Sequence, residues 1–371
     1  MDITATSTWL EIDLEAIRSN VRELRQICES NVMAVVKANG YGHGMIEAGQ
    51  AALQGGASWL GVARIEEALS LRAAGITSSI MILGYTAPVR AAEAIASRLT
   101  LAVYDPELAE ALSDQAVEAG GCVQVHAKFD TGMGRLGVFP EDGVPFIRHL
   151  RNLRGLDLSG MFTHFARSDE AERATTEWQI QRFQGLVNEL TRSGLRPSLV
   201  HAANSAAALY FPQARYDLVR CGIAIYGLDP SDETPLPDTF QTALAWKARL
   251  SSVKLIPPGY GIGYGHRYTT LGQERIGVVS VGYADGFRRR LGNFALVGGK
   301  RVKVTGGVCM DQIMLQLDEL PQAQVGDEVV LIGRQGSELI TAEEIGRDWN
   351  TVNYDVVCGL QARVPRFYIN Q

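Results

Sequence analysis

The run VMAVVKA at residues 32–38 carries the decision about the fold. It is too short for a helix, rich in valine and apolar up to its lysine, so it reads as a buried strand. Upstream, after Asp13 as a candidate N-cap, Leu14, Ile17, Val21, Leu24 and Ile27 recur at helical spacing. Downstream the alternation continues. WLGVA (59–63), SIMILG (79–84), TLAVY (100–104), CVQVHAKF (122–129), LDLSGMFTH (156–164), SLVHAA (198–203) and DLVRCG (217–222) are strand-like. RIEEALSLRAAG (64–75), DPELAEALSDQAVEAG (105–120) and TTEWQIQRFQGLVNELTRSG (175–194) lie between them as helices. Eight strands joined by helices over about 220 residues match a closed (β/α)8 barrel. An open doubly wound sheet is the competing α/β arrangement, and the lack of a long reversing connection favours closure.

The texture changes after residue 230. SDETPLPDTF (231–240) reads as a linker, and short alternating runs rich in Val and Thr follow, such as RIGVVSVGYADGF, KRVKVTGGVCMDQIMLQL and GDEVVLIG. These predict a mostly antiparallel β domain. The expected division is a barrel at 1–240 and a β domain at 241–371. With 371 residues, 46% apolar and 20% charged, the chain has the composition of a folded globular protein. A net charge of −6 provides no field for nucleic acid or an anionic membrane. No run approaches the ~18 apolar residues of a spanning helix, and the N-terminus lacks a secretory pattern. Five cysteines without a CxxC pair fit free thiols, hence a cytoplasmic expectation. No metal is expected: His126 and His201 show no paired ligand spacing.

Ligands of such barrels bind where strands end at the C-terminal face. Those positions hold Lys37 with Asn39 and Tyr41, Lys128 with Asp130 and Arg135, His164, His201 with Asn204 and Ser205, and Arg220 with Gly222. The set is rich in cations and suits a phosphate or carboxylate. Lys37 ends a hydrophobic strand and leads into ANGYGHG, a run able to take unusual backbone angles. A desolvated lysine there can form an imine with an aldehyde. Position alone leaves the alternative of a lysine reaching into solvent.

AVVKANGYGHG (34–44) resembles the pyridoxal 5'-phosphate attachment motif of alanine racemases. The likeness continues through KFDTGMGRLG (128–137), FTHFA (162–166), HAANSAA (201–207), RYDLVRCGIAIYG (215–227), GYGIGYGHRYT (259–269), VGYADGF (281–287), CMDQ (309–312) and VNYDVVCGLQARVPR (352–366). It covers essentially the whole chain in order. Gly40 stands where many members carry alanine.

The resemblance implies a homodimer of barrel plus β domain, each site at one barrel mouth and closed by the other subunit's β domain. It implies that Lys37 bears the cofactor. Tyr41, Ser205, Gly222, Ile223 and Tyr354 would hold the phosphate, and Arg220, backed by His164, would face the pyridine nitrogen. Arg135 would sit near the cofactor phenolate and the substrate carboxylate. Tyr264 would be the second base and Met310 and Asp311 pocket residues, all three from the other subunit. Tyr283 would line an access channel. Lys128 matches a position often carbamylated, and an anionic carbamate would orient Arg135.

By the same analogy Lys37 serves D-alanine and Tyr264 L-alanine, and the product supplies peptidoglycan precursors. A phenol acting as a base needs electrostatic help, for which a chain from Tyr264 through His164 to Arg220 is a candidate. Tyr354 would narrow the pocket toward alanine, with serine as an alternative substrate. Barrel-type amino-acid decarboxylases share the cofactor and the lysine placement, but Arg220, GYGIGYG and CMDQ speak against them.

Overall fold

The computed structural model describes residues 3–371. Its first strand, β1 (Thr8–Asp13), alternates buried Trp9, Leu10 and Ile12 with polar neighbours. The next eight strands are β2 (Asn31–Val35), β3 (Trp59–Val62), β4 (Ser79–Ile82), β5 (Leu99–Val103), β6 (Val123–Lys128), β7 (Leu156–Phe162), β8 (Leu199–His201) and β9 (Leu218–Cys221). They pair in parallel, and β9 returns to β2, with Asn31 opposite Leu218 and Met33 opposite Arg220. The barrel is closed, which excludes the open sheet. These strands coincide with the eight runs read from sequence.

Helices cover the barrel where the 3.6-residue pattern places them, including Ile65–Ala73, Pro106–Glu118 and Ala174–Arg192. The second begins at Asp105, whose carboxylate accepts from Leu108 N at 2.9 Å, a side-chain cap over an otherwise orphaned donor. Inside the barrel Met33, Met81, Ala102, Phe162 and Leu218 form a buried cluster that fills the lumen.

Nine of the strands outside the barrel form a sheet that is antiparallel apart from one pair. Here the first residues depart from the expected division at 240. β1 pairs antiparallel with Leu244–Ile256 and parallel with Arg366–Ile369, so the described residues before Ala16 group with Thr242–Gln371 and not with the barrel. The alternation of TWLEID could equally describe a barrel strand; only the pairing partners, over 230 residues away, decide it. Gly42–Gly44 also groups with the sheet. Two short helices, Ala342–Asp348 and Asn353–Cys358, stand within this mostly antiparallel region and were not individually expected. GYGIGYG forms a small hairpin, Gly261–Ile262 against Tyr268–Thr269, as a β-domain turn would.

Candidate active site

β2 delivers Lys37 into a turn of left-handed helix. Ala38, Asn39 and Gly40 have φ of 52, 55 and 63°, a conformation costing about 1–2 kcal/mol for each residue with a Cβ. Three contacts offset the strain. Glu67 accepts from Ala38 N at 2.7 Å while also holding Ala63 N and Arg64 N at 2.8 and 3.1 Å. Asn39 Oδ1 accepts from Met45 N at 3.1 Å. Gly40 N donates to Val36 O at 2.9 Å. Glycine at position 40 suits this turn, since an added Cβ would lie 3.2 Å from Met45 N.

The loop after β6 is organised by Asp130. Its carboxylate accepts from the backbone N–H of Gly132, Met133, Gly134 and Arg135 at 2.8–3.2 Å. Burial raises its pKa, but the four donors outweigh burial and hold the carboxyl below its usual range. Arg135 is thereby fixed at the rim, with its side chain exposed.

Arg220 is buried at the centre. Nη1 donates to His201 Nδ1 at 3.0 Å, and Nη2 donates to His164 Nδ1 at 3.1 Å and to the carbonyls of Thr163 and Ala202. A guanidinium only donates, so both imidazoles accept through Nδ1 and carry their hydrogen on Nε2. His201 Nε2 lies 2.8 Å from His126 Nδ1. Burial, then the Arg220 charge, lowers all three histidines; His126 falls to about 3. Burial also pushes Arg220 down to about 9, still cationic at neutral pH.

Neutral buried imidazoles make stability pH-dependent. The unfolded chain binds protons at these sites below its ordinary value near 6.5 while the fold does not. Stability is full above that pH and falls as pH drops toward the folded values, by roughly 1.4 kcal/mol per pH unit for each ring. Thermal midpoints between pH 7.5 and 5 should decline steadily below pH 6.5; a constant midpoint would show that the fold already carries the protons.

Lys128 and Arg220 lie over the Phe162 ring, each 5.4 Å from its centroid. Burial and then the Arg220 and Arg135 charges push the Lys128 ammonium down to about 8. No ion pair of Lys128 is found among the described residues.

The anion end is built on Ser205 and Gly222. Ser205 opens the helix Ser205–Tyr210, capped by Asn204, and its Oγ accepts from Gly222 N at 3.0 Å. Ala224 N also donates to this Oγ, at 3.4 Å, so its lone pairs are engaged and its hydroxyl hydrogen is left to donate. Ile223 opens the neighbouring short helix, so two positive helix ends converge here. A Cβ at Gly222 would lie 2.5 Å from Tyr41 Oη, so a side chain would fill the space beside that hydroxyl.

The barrel unit therefore gathers Lys37, Tyr41, Lys128, Arg135, His164, Ser205, Arg220, Gly222 and Ile223. The sheet unit carries Tyr264, Tyr283, Met310, Asp311 and Tyr354. There the loops adjoin: Tyr283 N donates to Cys309 O and Ala284 N to Met310 O. Arg363 ties them by pairing with Asp285 at 3.0 Å and Asp311 at 2.9 Å. Tyr264, at the hairpin turn, is 73% exposed, Met310 52% and Tyr283 44%. Tyr354 lies in Asn353–Cys358, its N–H held by Asn353 Oδ1 at 2.8 Å. Sequence reasoning missed Glu67, whose contact with Ala38 spans 29 residues, and Arg363, which pairs with Asp311 across 52. The His126–His201 contact, between residues 75 apart in the chain, was also missed.

A donor set this rich fits pyridoxal 5'-phosphate: paired helix ends and a hydroxyl for phosphate, a lysine for the aldehyde, and a donor-only guanidinium. As a class this is a barrel protein whose mouth is rich in cationic side chains. The sequence profile of the alanine racemase N-terminal domain matches residues 12–230, and that of the C-terminal domain 243–368. The alanine racemase of Symbiobacterium thermophilum is 46% identical over 365 residues, 97% of each chain. The structure of alanine racemase from Streptomyces coelicolor superposes with a TM-score of 0.94 at 38% identity, covering 99% of each chain. A histidine racemase from Leuconostoc mesenteroides superposes at 0.91 with 29% identity, again covering 99% of each. The chain belongs to the alanine racemase family. It is an enzyme of the racemase class, and among its described residues no helix is long and apolar enough to cross a membrane.

Proposed function

We propose that this enzyme interconverts L- and D-alanine with pyridoxal 5'-phosphate, using Lys37 and the Tyr264 of a second copy as bases on opposite faces. The observation that carries the reading is the placement of Arg220, locked between His201 and His164 in the barrel unit that also presents Lys37. When bound, the cofactor supplies the electron withdrawal that acidifies the substrate Cα–H. The Ser205 hydroxyl, Tyr41 and the Ile223 N–H would hold its phosphate, with Tyr354 and Gly222, whose N–H donates to Ser205 Oγ, assigned to the same end. Arg220 donates to its ring nitrogen without surrendering a proton, because a guanidinium is too weak an acid.

Arg135 binds the substrate carboxylate. Lys37 Nζ takes or returns the Cα proton on one face and Tyr264 Oη does so on the other. His164, its hydrogen on Nε2, would donate to the phenolate form of Tyr264 and stabilise it. Met310 and Asp311 bound the substrate and Tyr283 its access. The exposure of Tyr264, Met310 and Tyr283 within one loop cluster supports their being covered by a second copy. The decay of the L-alanine circular-dichroism signal, run beside serine and histidine, tests the reading. Alanine should be preferred; no racemisation of any of the three by cofactor-loaded enzyme would overturn it.

Lys128 is assigned as a carbamate. With its ammonium pushed to about 8, roughly a tenth of the amine is neutral at pH 7, against far less for an exposed lysine. The nitrogen lone pair adds to carbon dioxide, a proton leaves to solvent, and an anion replaces a cation between Arg135 and Arg220. Enzyme in carbon-13 bicarbonate at pH 8 should show a carbamate carbon resonance that fades on acidification and is missing from Lys128→Ala. An active wild type without that resonance would remove the assignment.

A further inference from the structure

His126 lies within the barrel below its mouth and touches none of the reacting groups assigned above. On β6 the residues Gln124, His126 and Lys128 alternate onto one face, so His126 lies one step beneath Lys128. Its ring is fully buried. In register opposite it on β7 stands Gly160, where an added Cβ would lie 2.6 Å from the imidazole. That glycine leaves room for the ring. The neighbouring His201 ring stacks on Phe162 at 4.9 Å with planes 3° apart, which fixes its orientation.

We propose that His126 is a positioning residue for Arg220, acting by holding His201 in the tautomer that accepts the guanidinium hydrogen bond. This rests on the active-site reading above. A neutral imidazole carries one hydrogen, on either nitrogen. His201 could carry it on Nδ1, but that would set N–H against the Arg220 N–H at 3.0 Å. With the hydrogen on Nε2, His201 needs a buried acceptor on its far side, and His126 Nδ1 provides it at 2.8 Å.

His126 must then carry its own hydrogen on Nε2, which is buried without a hydrogen-bond partner among the described residues. An unsatisfied donor is costly. That cost is explicable if the contact with His201 is what the ring provides. Trp59 is tilted at 5.6 Å, and the Arg220 charge faces the pair from β9. Removing the acceptor would strand the His201 N–H in the core. The ring would then move its hydrogen to Nδ1 and break with Arg220, or keep the bond and leave a buried donor unpaired.

The test uses cofactor-loaded enzyme labelled with nitrogen-15 in histidine. The chain has six histidines, few enough to assign by single substitutions. In wild type His126 and His201 should both show the hydrogen on Nε2. His126→Leu should change the His201 nitrogen shifts, move the absorption band of the bound cofactor, and lower kcat by about 10- to 100-fold with a smaller change in KM. His126→Gln keeps an acceptor oxygen and should restore most of kcat and the absorption band.

A wild-type His201 with its hydrogen on Nδ1 overturns the proposal even if neither variant folds. So does a folded His126→Leu enzyme with unchanged band and kcat, and so does equal loss in both variants, which would mark a packing role. Failure of the alanine assay alone would instead discredit the functional reading, because the tautomer measurement needs no turnover.

Discussion

Lys37→Ala is expected to lower kcat for alanine by about ten-thousandfold, the upper end of what one positioned proton-transfer group contributes. The residue both holds the cofactor aldehyde and serves one face of the substrate, so alanine removes two functions. Borohydride reduction of wild type should attach the cofactor to Lys37 and to no other lysine. Lys37→Arg should fare no better, since a guanidinium can neither form the imine nor accept the proton at neutral pH. The fold should survive both changes. The left-handed turn depends on Glu67 bonding Ala38 N and Asn39 bonding Met45 N, neither of which uses the lysine side chain. Racemisation by Lys37→Ala within tenfold of wild type would remove Lys37 from the chemistry.

Tyr264→Phe is expected to cost about a hundred- to ten-thousandfold in kcat, by loss of the opposite base. The phenol is exposed at a hairpin turn, so the change should barely alter stability. The informative experiment mixes two inactive proteins. If each site draws Lys37 from one copy and Tyr264 from another, a Lys37→Ala chain paired with a Tyr264→Phe chain has one doubly damaged site and one intact site. Random reassociation should then recover about a quarter of wild-type activity. Recovery of none, after exchange has been verified by mass, would place both bases in one chain.

Much of the barrel was legible because its strands are buried on both faces. Continuous apolar runs such as 32–38 and 79–84 leave few other options, and helices between them carry their own caps and periodicity. β1 was not legible as a sheet strand, because TWLEID satisfies the alternation of either unit and only pairing with Leu244–Ile256 and Arg366–Ile369 decides. The helices at Ala342–Asp348 and Asn353–Cys358 were missed because each spans fewer than two turns, too little for a period to register.

At the candidate site, residue types and the strand ends that carry them were readable: a lysine after a buried strand, cations at the following strand ends, serine and glycine at helix starts. The sequence by itself therefore determined the architecture of the barrel and the inventory of donors, because burial and chemical type are local properties of a strand and its end. The tertiary structure alone brought Arg220 against His164 and His201, which sets the nitrogen that carries the hydrogen in those two rings. It also showed that Glu67 steadies the lysine turn and that His126 stands behind His201. Those are relations between groups brought together by barrel closure, and hydrogen bonds of about 3 Å depend on distance and direction that spacing along the chain does not encode.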